Sequence, residues 1–230
     1  MDSRGKLIVI EGTDKSGKET QAKLLVERMR KEGLSVEYYS FPRYNQLFGG
    51  LIGQYLNGDF GKKEDIPPEF VALLYSLDRY QIKKELEDKL RDGVNLVVDR
   101  YSQSNMAHQS AKLRAGPEQN EFLQWIKVVE SRLPKPFRKV FLNMPLEVAE
   151  KLMMKEGEEK KHKHGKIDQH ERDVEHLMKA RAIYQRMQQH EDDWIQIICA
   201  VKSGNEFKAK QKDEIHEELW SNLRKFFIKK

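Results

Sequence analysis

A glycine-rich turn between an apolar strand pattern and a helical pattern constrains the fold of this chain more than any other feature. Lys6–Glu11 contains an unbroken apolar stretch, and Glu19–Lys31 has the periodicity of an amphipathic helix. Between them lies the loop Gly12-Thr-Asp-Lys-Ser-Gly17-Lys18. Such a loop wraps its backbone N–H groups around phosphate oxygens, while its lysine reaches the β- and γ-phosphates. An ordinary strand-to-helix turn requires neither the second glycine nor Lys18, so the segment predicts a nucleotide-phosphate site.

The residue after Lys18 departs from the usual form of such loops. A serine or threonine is expected there because its hydroxyl binds Mg²⁺, but this chain has Glu19, followed by Thr20. We therefore expect the phosphates, water and another carboxylate to hold the metal. The departure weakens metal binding by the loop and does not exclude catalysis.

Length and charge favour one α/β domain spanning residues 1–230. Charged residues make up 34% of the chain, and no apolar run approaches the roughly 20 residues that span a bilayer. The N-terminal residues lack the apolar segment of a secretory signal, so we expect a cytoplasmic protein that binds no membrane. The net charge of +5 favours anionic ligands, but basic and acidic residues are intermixed, and we expect no nucleic-acid binding.

Strand and helix patterns alternate along the chain, which predicts a five-stranded parallel sheet with helices on both faces. After the first strand, the predicted strands are Ser35–Ser40, Val94–Val98, Lys139–Asn143 and Trp194–Cys199, the last with a core thiol at Cys199. After the first helix, the predicted helices are Pro67–Arg91, Pro117–Ser131, Pro145–Met154, Asp168–Gln189 and Lys212–Phe227.

The segment Lys155–Lys166 is highly charged and contains no apolar residue. Its composition alone predicts a solvated loop, whereas its place after the fourth strand of a phosphate-binding fold fits a mobile lid over about residues 155–168. His162, His164 and His170 are a candidate metal group, but nothing in the pattern fixes their geometry, and a structural zinc site is not favoured.

Charged and aromatic residues follow the predicted strands at one edge of the sheet. Asp99 and Arg100 end the third strand, and Arg43 follows the second. Ligands of open α/β sheets bind outside the carboxyl ends of the strands, so an arginine here can neutralise a phosphoryl group and the aspartate can hold Mg²⁺ through water. Tyr75 and Arg79 share one helix face and form a candidate nucleobase cradle. The alternative for Asp99 and Arg100 is a structural salt bridge, and the alternative for Tyr75 and Arg79 is ordinary surface packing.

The ordered set of these motifs resembles the thymidylate kinase family. The resemblance rests on Ile10-Glu-Gly-Thr-Asp-Lys-Ser-Gly-Lys-Glu-Thr-Gln21, Phe41-Pro-Arg-Tyr44, Leu73-Leu-Tyr-Ser-Leu-Asp-Arg79, Asp99-Arg-Tyr-Ser-Gln-Ser-Asn105 and Asp168-x-x-Glu171. It extends from about residue 6 to residue 200. The resemblance implies a P-loop nucleoside-monophosphate-kinase fold, phosphorylation of dTMP to dTDP with ATP and Mg²⁺, and a homodimer.

The resemblance also implies roles for individual residues. Asp14 is expected to bond the deoxyribose 3′-hydroxyl and, with Asp99, to lie near the metal, while Tyr101 crowds C2′ and disfavours a ribose. The remaining expected substrate contacts are Phe41, Arg43, Tyr75 stacked on thymine, Arg79 on its O4, Arg100 on the phosphates, and Asn105 and Gln109 on the base. The expected ATP contacts are Gly12, Thr13, Asp14, Lys15, Ser16, Gly17, Lys18, Glu19 and Thr20.

Two residues depart from the family pattern, and the family pattern also indicates which residue supplies the transition-state cation. His108 stands where many members have tyrosine, and Arg43 lies one place earlier than the usual arginine. Members carry their transition-state cation either in the phosphate loop or as an arginine in the lid. Residues 155–165 contain no arginine. We therefore expect Lys15 to act with Lys18 and Arg100 as the catalytic residues.

Two alternatives to a dTMP kinase stay open. One is a kinase for another deoxypyrimidine nucleotide, such as dUMP or a modified pyrimidine. The other is a nucleotide-binding regulatory protein that keeps the fold and has lost turnover. Glu19 and the unusual lid sequence are the features that support this alternative.

Overall fold

The fold is a three-layer α/β arrangement around one parallel sheet. A computed structural model describes residues 4–62, 65–152, 174–204 and 206–228. The five strands of the sheet lie in the order β2-β3-β1-β4-β5, and every neighbouring pair is parallel. They are β1 (Leu7–Gly12), β2 (Val36–Ser40), β3 (Asn95–Asp99), β4 (Arg138–Asn143) and β5 (Trp194–Ile198). The predicted sheet is therefore confirmed, with each boundary within one residue of the sequence pattern.

Helices cover both faces of this sheet. They are α1 (Lys18–Lys31), α2 (Leu47–Asn57), α3 (Pro68–Tyr80), α4 (Lys83–Arg91), α5 (Ser102–Ser110), α6 (Pro117–Val129), α7 (Val174–Gln188) and α8 (Lys212–Leu223). Residues 146–152 are also helical, and Arg224–Phe226 form a 3-10 turn. Helices α1 and α8 pack on one face through Leu25, Met29, Leu219 and Trp220. Helices α5, α6 and α7 cover the other face.

The prediction of one helix over Pro67–Arg91 is wrong, because the segment forms two helices with a break at Gln81 and Ile82. Ile82 has φ −114° and ψ 12°, outside helical geometry. Its side chain packs with Leu86 into the cluster beneath β1 and β3. Burying that apolar side chain requires the chain to change direction, which the sequence periodicity conceals.

Three elements were not predicted from the sequence: α2, α5 and an antiparallel hairpin. The hairpin pairs β6 (Ala200–Ser203) with β7 (Glu206–Ala209) after the last sheet strand. Helix α2 was missed because glycines lower its helix propensity. Gly49 is needed there, since a Cβ atom at this position would lie 1.9 Å from the Arg43 carbonyl oxygen.

The lid predicted over residues 155–168 lies outside the described residues, as do His162, His164, His170 and the Asp168-x-x-Glu171 motif. The predicted helices Pro145–Met154 and Asp168–Gln189 are described over residues 146–152 and 174–188. Within the described ranges, no helix has the length and apolar character needed to cross a bilayer.

Parallel pairing brings the carboxyl ends of three strands to one edge of the sheet. Ile10 of β1 and Ser40 of β2 both lie opposite Asp99 of β3. The glycine loop, the Phe41–Tyr44 segment and Arg100 therefore start from the same edge, where this fold class binds its ligands.

Candidate active site

The phosphate loop joins β1 to α1 through two conformationally special glycines. Gly12 has φ 155°, and a Cβ atom there would lie 2.5 Å from Ser16 Oγ and 2.8 Å from the Leu142 carbonyl oxygen. Gly17 has φ 82° in the left-handed region and caps the N-terminus of α1. The positive end of the helix dipole and the turn's N–H groups thus face the loop, which suits an anionic ligand.

Lys18 is the cation of this loop and is almost wholly buried. The residue is only 6% exposed. Its Nζ donates a hydrogen bond to the Thr13 carbonyl oxygen at 2.7 Å. Burial, together with the charge of Arg100, lowers the pKa of Lys18 to about 8. An ammonium group in this position is poorly solvated, so a bound phosphate would stabilise its charged form.

Arg100 crosses from the end of β3 toward the phosphate loop. Its backbone has φ 64°, a conformation that L-residues with side chains rarely adopt. Its Nη2 forms an ion pair with Asp14 Oδ1. Burial opposes ionisation of Asp14, but the charges of Arg100 and Lys18 outweigh it and hold the pKa of this carboxyl below its usual range. Arg100 is therefore presented to the cleft as a fixed cation.

Asp99 lies beside these cations with one carboxylate oxygen unused. The residue is 7% exposed, and its Oδ1 has no hydrogen-bond partner among the described residues. Burial raises the pKa of Asp99 despite the nearby charges of Lys18 and Arg100. Such an oxygen is suited to accept a hydrogen bond from metal-bound water or to bind the metal itself.

Glu11 ties the loop strand to helix α5. This fully buried carboxylate accepts hydrogen bonds from the backbone N–H groups of Tyr101 at 2.9 Å and Ser104 at 3.2 Å. It also accepts from Ser104 Oγ at 2.6 Å and from the Tyr184 hydroxyl at 2.9 Å. Burial raises the pKa of Glu11 although these hydrogen bonds oppose the rise. The contacts fix the start of α5, and hence Arg100, relative to the loop.

A cleft opens between the phosphate loop and helices α3 and α5. Its lining residues are Asp14, Phe41, Pro42, Tyr44, Leu56, Tyr75, Arg79, Arg100, Ser104, Asn105, His108 and Gln109. Asp14 and Arg100 lie at the loop end, and the rings of Phe41 and Tyr75 lie at the other end, next to the Arg79 guanidinium. A ligand with one anionic end and one flat apolar end matches this distribution.

A buried acid, Glu130, holds Arg79 and Asn105 at the end of the cleft near Phe41 and Tyr75. Oε1 of Glu130 accepts from Arg79 Nη1 at 2.9 Å and from Asn105 Nδ2 at 2.7 Å. Arg79 also donates to the carbonyl oxygens of Tyr75 at 2.8 Å and Tyr101 at 2.7 Å. Each side chain is thereby held in one orientation, with its remaining polar atom left over.

Three residues that line the cleft, Arg79, Asn105 and Gln109, each have one polar side-chain atom that could pair with a ligand. Arg79 Nε, Asn105 Oδ1 and Gln109 Oε1 are buried and have no hydrogen-bond partner among the described residues. Buried polar groups are seldom left unpaired, so a ligand that pairs them gains specificity. Arg79 Nε is a donor and Asn105 Oδ1 an acceptor, while the Gln109 amide presents either kind of atom depending on its flip.

Two predicted substrate residues, Arg43 and Tyr101, are not among the residues that line the cleft. Arg43 is held by the buried Asp78, donating from its backbone N–H at 2.9 Å and from Nε at 3.1 Å. Tyr101 is 1% exposed, and its hydroxyl donates to the Pro134 carbonyl oxygen at 3.1 Å. Both lie next to the Phe41 ring, with Tyr101 at 6.1 Å between centroids and the Arg43 guanidinium at 5.8 Å.

Several residues of the site were missed from the sequence. The sequence did not indicate that Glu11 and Glu130 are buried, because a single glutamate in a strand or amphipathic helix pattern is usually a surface residue. Leu56 and Ser104 line the cleft from α2 and α5, which were not predicted, and Tyr44 lines it from the segment between β2 and α2. His108 was noticed only as a departure from the family pattern, and the structure places it in the cleft.

Comparisons with known proteins repeatedly find members of one family. A family model described as thymidylate kinase matches residues 10–210. The human thymidylate kinase is 39% identical over 148 residues, which are 64% of this chain and 65% of that protein. The Plasmodium falciparum thymidylate kinase is 30% identical over 227 residues, covering 98% of this chain and 92% of that protein.

A solved structure extends the similarity to the whole fold. A thymidylate kinase from Candida albicans, described as having broad substrate specificity, superposes with a TM-score of 0.72 at 26% identity. The match covers 97% of this chain and 92% of that one. By sequence, the aligned parts of the human and zebrafish relatives span 65% and 64% of their lengths, slightly less than two thirds.

Proposed function

The chain belongs to the thymidylate kinase family, and we propose that it transfers the γ-phosphoryl group of ATP to dTMP, giving dTDP and ADP in pyrimidine deoxynucleotide synthesis. The observation that carries this proposal is the pair of unpartnered atoms at the base end of the cleft. Arg79 Nε–H matches the O4 carbonyl of thymine, and Asn105 Oδ1 matches its N3–H. Tyr75 and Phe41 supply the rings against which the base packs.

The transfer needs charge placement more than covalent chemistry. The attacking group is a phosphate oxygen of dTMP, which is largely ionised at pH 7 because the second phosphate pKa is about 6. No general base is therefore required. Lys18 faces the β- and γ-phosphates, Arg100 faces the acceptor phosphate, and Lys15 supplies a further cation for the transition state. Asp14 holds Arg100 in place and leaves Oδ2 for the 3′-hydroxyl of the sugar.

The residues present fit the Mg²⁺ ion that this chemistry uses. Asp99 Oδ1 is a buried, unpartnered hard oxygen at the loop, which is the donor type that Mg²⁺ prefers. No cluster of three or more His, Cys, Asp or Glu side chains suited to a metal occurs in the described part of the chain. We therefore assign Asp99 to the metal, with phosphates and water completing its ligands. When bound, the ion neutralises charge on the transferring phosphoryl group.

Substrate preference provides the first test of this proposal. We expect dTMP to be used at least about 30-fold better than dCMP in kcat/KM, since leaving a buried donor or acceptor unpaired costs about 2 kcal/mol or more. Cytosine presents an amino group to Arg79 and a lone pair to Asn105, so both contacts are mismatched. A coupled assay of ADP release with dTMP, dUMP, dCMP, dGMP and AMP measures the preference. dUMP lacks only the methyl group, and we expect it to rank second.

A matched pair of variants locates the preference in the cleft. Asn105→Ala should reduce the ratio of dTMP to dCMP turnover, whereas Asn120→Ala makes the same change on an exposed position of α6 and should leave the ratio unchanged. Equal turnover of dCMP or AMP and dTMP would contradict the pocket assignment. Nucleotide binding without any turnover would instead support a regulatory protein, and comparable use of several pyrimidines would support a kinase of broader specificity.

We propose a homodimer, as the family resemblance implies, with α3 at its interface. Phe70, Leu73 and Leu77 are 45%, 40% and 40% exposed and form a stripe on one side of this helix. Tyr75 and Arg79 project from the opposite side into the cleft. Contiguous exposed apolar stripes of this kind mark interaction surfaces, and a second copy offers the same stripe in return.

The double variant Leu73→Asp, Leu77→Asp is expected to convert the dimer to a monomer because it places charges in the apolar stripe. Light scattering after size-exclusion chromatography measures the mass. Val201→Asp, on the exposed hairpin strand β6, is the matched control and should leave the mass unchanged. A wild-type monomer at micromolar concentration, or a dimer that survives the double variant, would contradict this interface.

The cytoplasmic location stays a prediction.

A further inference from the structure

Glu130 is not among the residues that line the cleft, yet it contacts two residues that are. It directly follows α6, and its side chain is 2% exposed. Its Oε1 accepts from Arg79 Nη1 at 2.9 Å and from Asn105 Nδ2 at 2.7 Å, and Ser76 Oγ lies 2.7 Å away. The hydrogen bonds of this side chain to the described residues therefore all go to α3 and α5, the helices that carry Arg79 and Asn105.

The orientation of the Asn105 amide follows from the acceptors around its nitrogen. Nδ2 lies 3.0 Å from the Ala72 carbonyl oxygen and 2.7 Å from Glu130 Oε1. A carbonyl oxygen only accepts hydrogen bonds, so the NH₂ group has to occupy this side of the amide. Exchanging the two ends of the amide would set Asn105 Oδ1 against both oxygens. Asn105 Oδ1 is therefore fixed as the atom that is left for a ligand.

The Arg79 guanidinium is fixed by acceptors on both of its terminal nitrogens. Nη1 donates to Glu130 Oε1 and to the Tyr75 carbonyl oxygen, and Nη2 donates to the Tyr101 carbonyl oxygen. Its side chain is 1% exposed, so Glu130 also supplies the counter-charge that a buried guanidinium needs. Nε is the nitrogen that stays without a partner among the described residues.

The other acceptors near Asn105 do not replace Glu130. The Ala72 carbonyl oxygen lies within α3, where it receives a backbone hydrogen bond, and Ser76 Oγ donates to it at 2.9 Å. The Ser76 hydroxyl has one proton, which serves either Ala72 or Glu130. Removing the carboxylate directs that proton to Ala72, where it competes with Asn105 Nδ2 for the same oxygen. The Asn105 amide then loses its charged acceptor and shares the remaining one.

We propose that Glu130 is a positioning residue that sets the base specificity of the cleft, by holding Asn105 Oδ1 as an acceptor and Arg79 Nε as a donor toward the pyrimidine. The inference rests on the proposed kinase activity. It attributes the choice of a 4-oxo over a 4-amino pyrimidine to a carboxylate outside the lining of the cleft. Glu130 acts through Arg79 and Asn105, so its loss changes which base is accepted more than it changes phosphoryl transfer.

The kinetic test compares Glu130→Met with Glu130→Gln. Methionine has a similar length and offers no oxygen, whereas glutamine keeps an oxygen that has to face the donors of Arg79 and Asn105. We expect Glu130→Met to lower the ratio of kcat/KM for dTMP to that for dCMP by about tenfold, the upper range for one lost hydrogen bond. Glu130→Gln should keep the ratio within about threefold of wild type.

The ratio separates specificity from stability. Both substrates are measured on the same preparation, so a variant that is only partly folded loses the same fraction of both activities and keeps its ratio. Glu121→Met, on an exposed position of α6, is the matched control and should leave the ratio unchanged. A wild-type ratio in Glu130→Met, or an equal loss in Glu130→Gln and Glu130→Met, would overturn the inference.

A second measurement needs neither turnover nor the methionine variant. In ¹H–¹⁵N spectra of the nucleotide-free protein, the side-chain NH₂ of Asn105 should exchange slowly with water, because it is buried and donates to a carboxylate. Its resonance should move in Glu130→Gln. Rapid exchange, or a resonance that does not respond to Glu130→Gln, would contradict the contact. Failure of the proposed function differs from both results, since wild type itself would then show no preference for dTMP.

Discussion

Lys18→Met is expected to abolish phosphoryl transfer while leaving the fold intact. Lys18 Nζ is the buried cation of the phosphate loop, and in the absence of nucleotide it donates to a backbone carbonyl of the same loop. Methionine keeps an unbranched apolar stem and removes the charge together with the hydrogen bond to the Thr13 carbonyl oxygen. Loss of a cation that stabilises the transferring phosphoryl group costs about 10³-fold or more in kcat. The coupled ADP assay with dTMP measures the loss.

The stability of this variant has a definite sign because the pKa of Lys18 is lowered. A lysine whose pKa is about 8 in the folded protein and 10.5 in the unfolded chain binds its proton less tightly when folded. Between these two pH values the unfolded state carries more protons, so wild type gains stability as the pH rises. Below pH 8 the buried charge of Lys18 lowers the free energy of unfolding, and Met lacks this charge. We therefore expect Lys18→Met to unfold at or above the wild-type temperature at pH 7, with the difference shrinking toward pH 10.

The control for this experiment is Lys23→Met on the same helix. Lys23 forms an ion pair with Glu19 at 2.5 Å, and both side chains are more than half exposed. Exposed pairs of this kind contribute little to stability, so the control should keep both activity and unfolding temperature. Substantial turnover by Lys18→Met would argue against this loop as the ATP site. A large fall in its unfolding temperature would show that Lys18 supports the fold.

The parts of the molecule that could be predicted from sequence are those set by local chemistry. Strands buried on both faces read as short apolar runs, and the glycine loop has a fixed spacing, so β1 to β5 and the start of α1 lie where expected. The order of strands brought Asp99 and Arg100 to the loop because carboxyl ends of parallel strands share an edge. These inferences required no knowledge of distant contacts.

The parts that could not be predicted depend on packing between distant segments. Glu130 is buried only because Ser76, Arg79 and Asn105, from two other helices, surround its carboxylate. Helix α2 contains three glycines that lower helix propensity, and one of them is required by the neighbouring Arg43 carbonyl. The break at Ile82 likewise follows from a core position filled by its side chain. These contacts join segments that are far apart in the chain, so a short window of sequence cannot predict them.

The predicted catalytic role of Lys15 gains support from its backbone. Lys15 and Arg100 are the two non-glycine residues with positive φ in the described ranges, at 61° and 64°. A left-handed backbone costs about 1–2 kcal/mol for an L-residue with a side chain. Such strain persists where the surrounding structure requires it, and it concentrates at functional sites. Both residues are cations at the phosphate end of the site, so the strain and the charge coincide.

We expect Lys15→Ala to lower kcat by about 10²-fold, below the full range for loss of an arginine finger. The KM for dTMP should change less, because the cation is needed most in the transition state. Lys15→Arg should keep or raise kcat, since a planar guanidinium can bridge two phosphates where an ammonium group cannot. Single-turnover measurements with saturating ATP and dTMP separate the transfer step from product release.

Lys15→Gly separates the side chain from the backbone. Glycine accepts positive φ without a steric cost, so this variant should be as stable as wild type or up to about 1 kcal/mol more stable. Its kcat should nevertheless match that of Lys15→Ala, because both lack the cation. Activity retained by Lys15→Gly and lost in Lys15→Ala would mean that loop conformation, not charge, limits the rate.

The decisive comparison is with the lid sequence, which lies outside the described residues. Lys160, Lys161 and Lys163 are the three lysines at the centre of the predicted lid that could serve the same purpose. A triple change of these residues to alanine should lower kcat less than Lys15→Ala does, because the loop cation is fixed by a rigid strand and helix on either side. If the triple variant loses more kcat than Lys15→Ala, the transition-state cation belongs to the lid and the assignment of Lys15 is wrong.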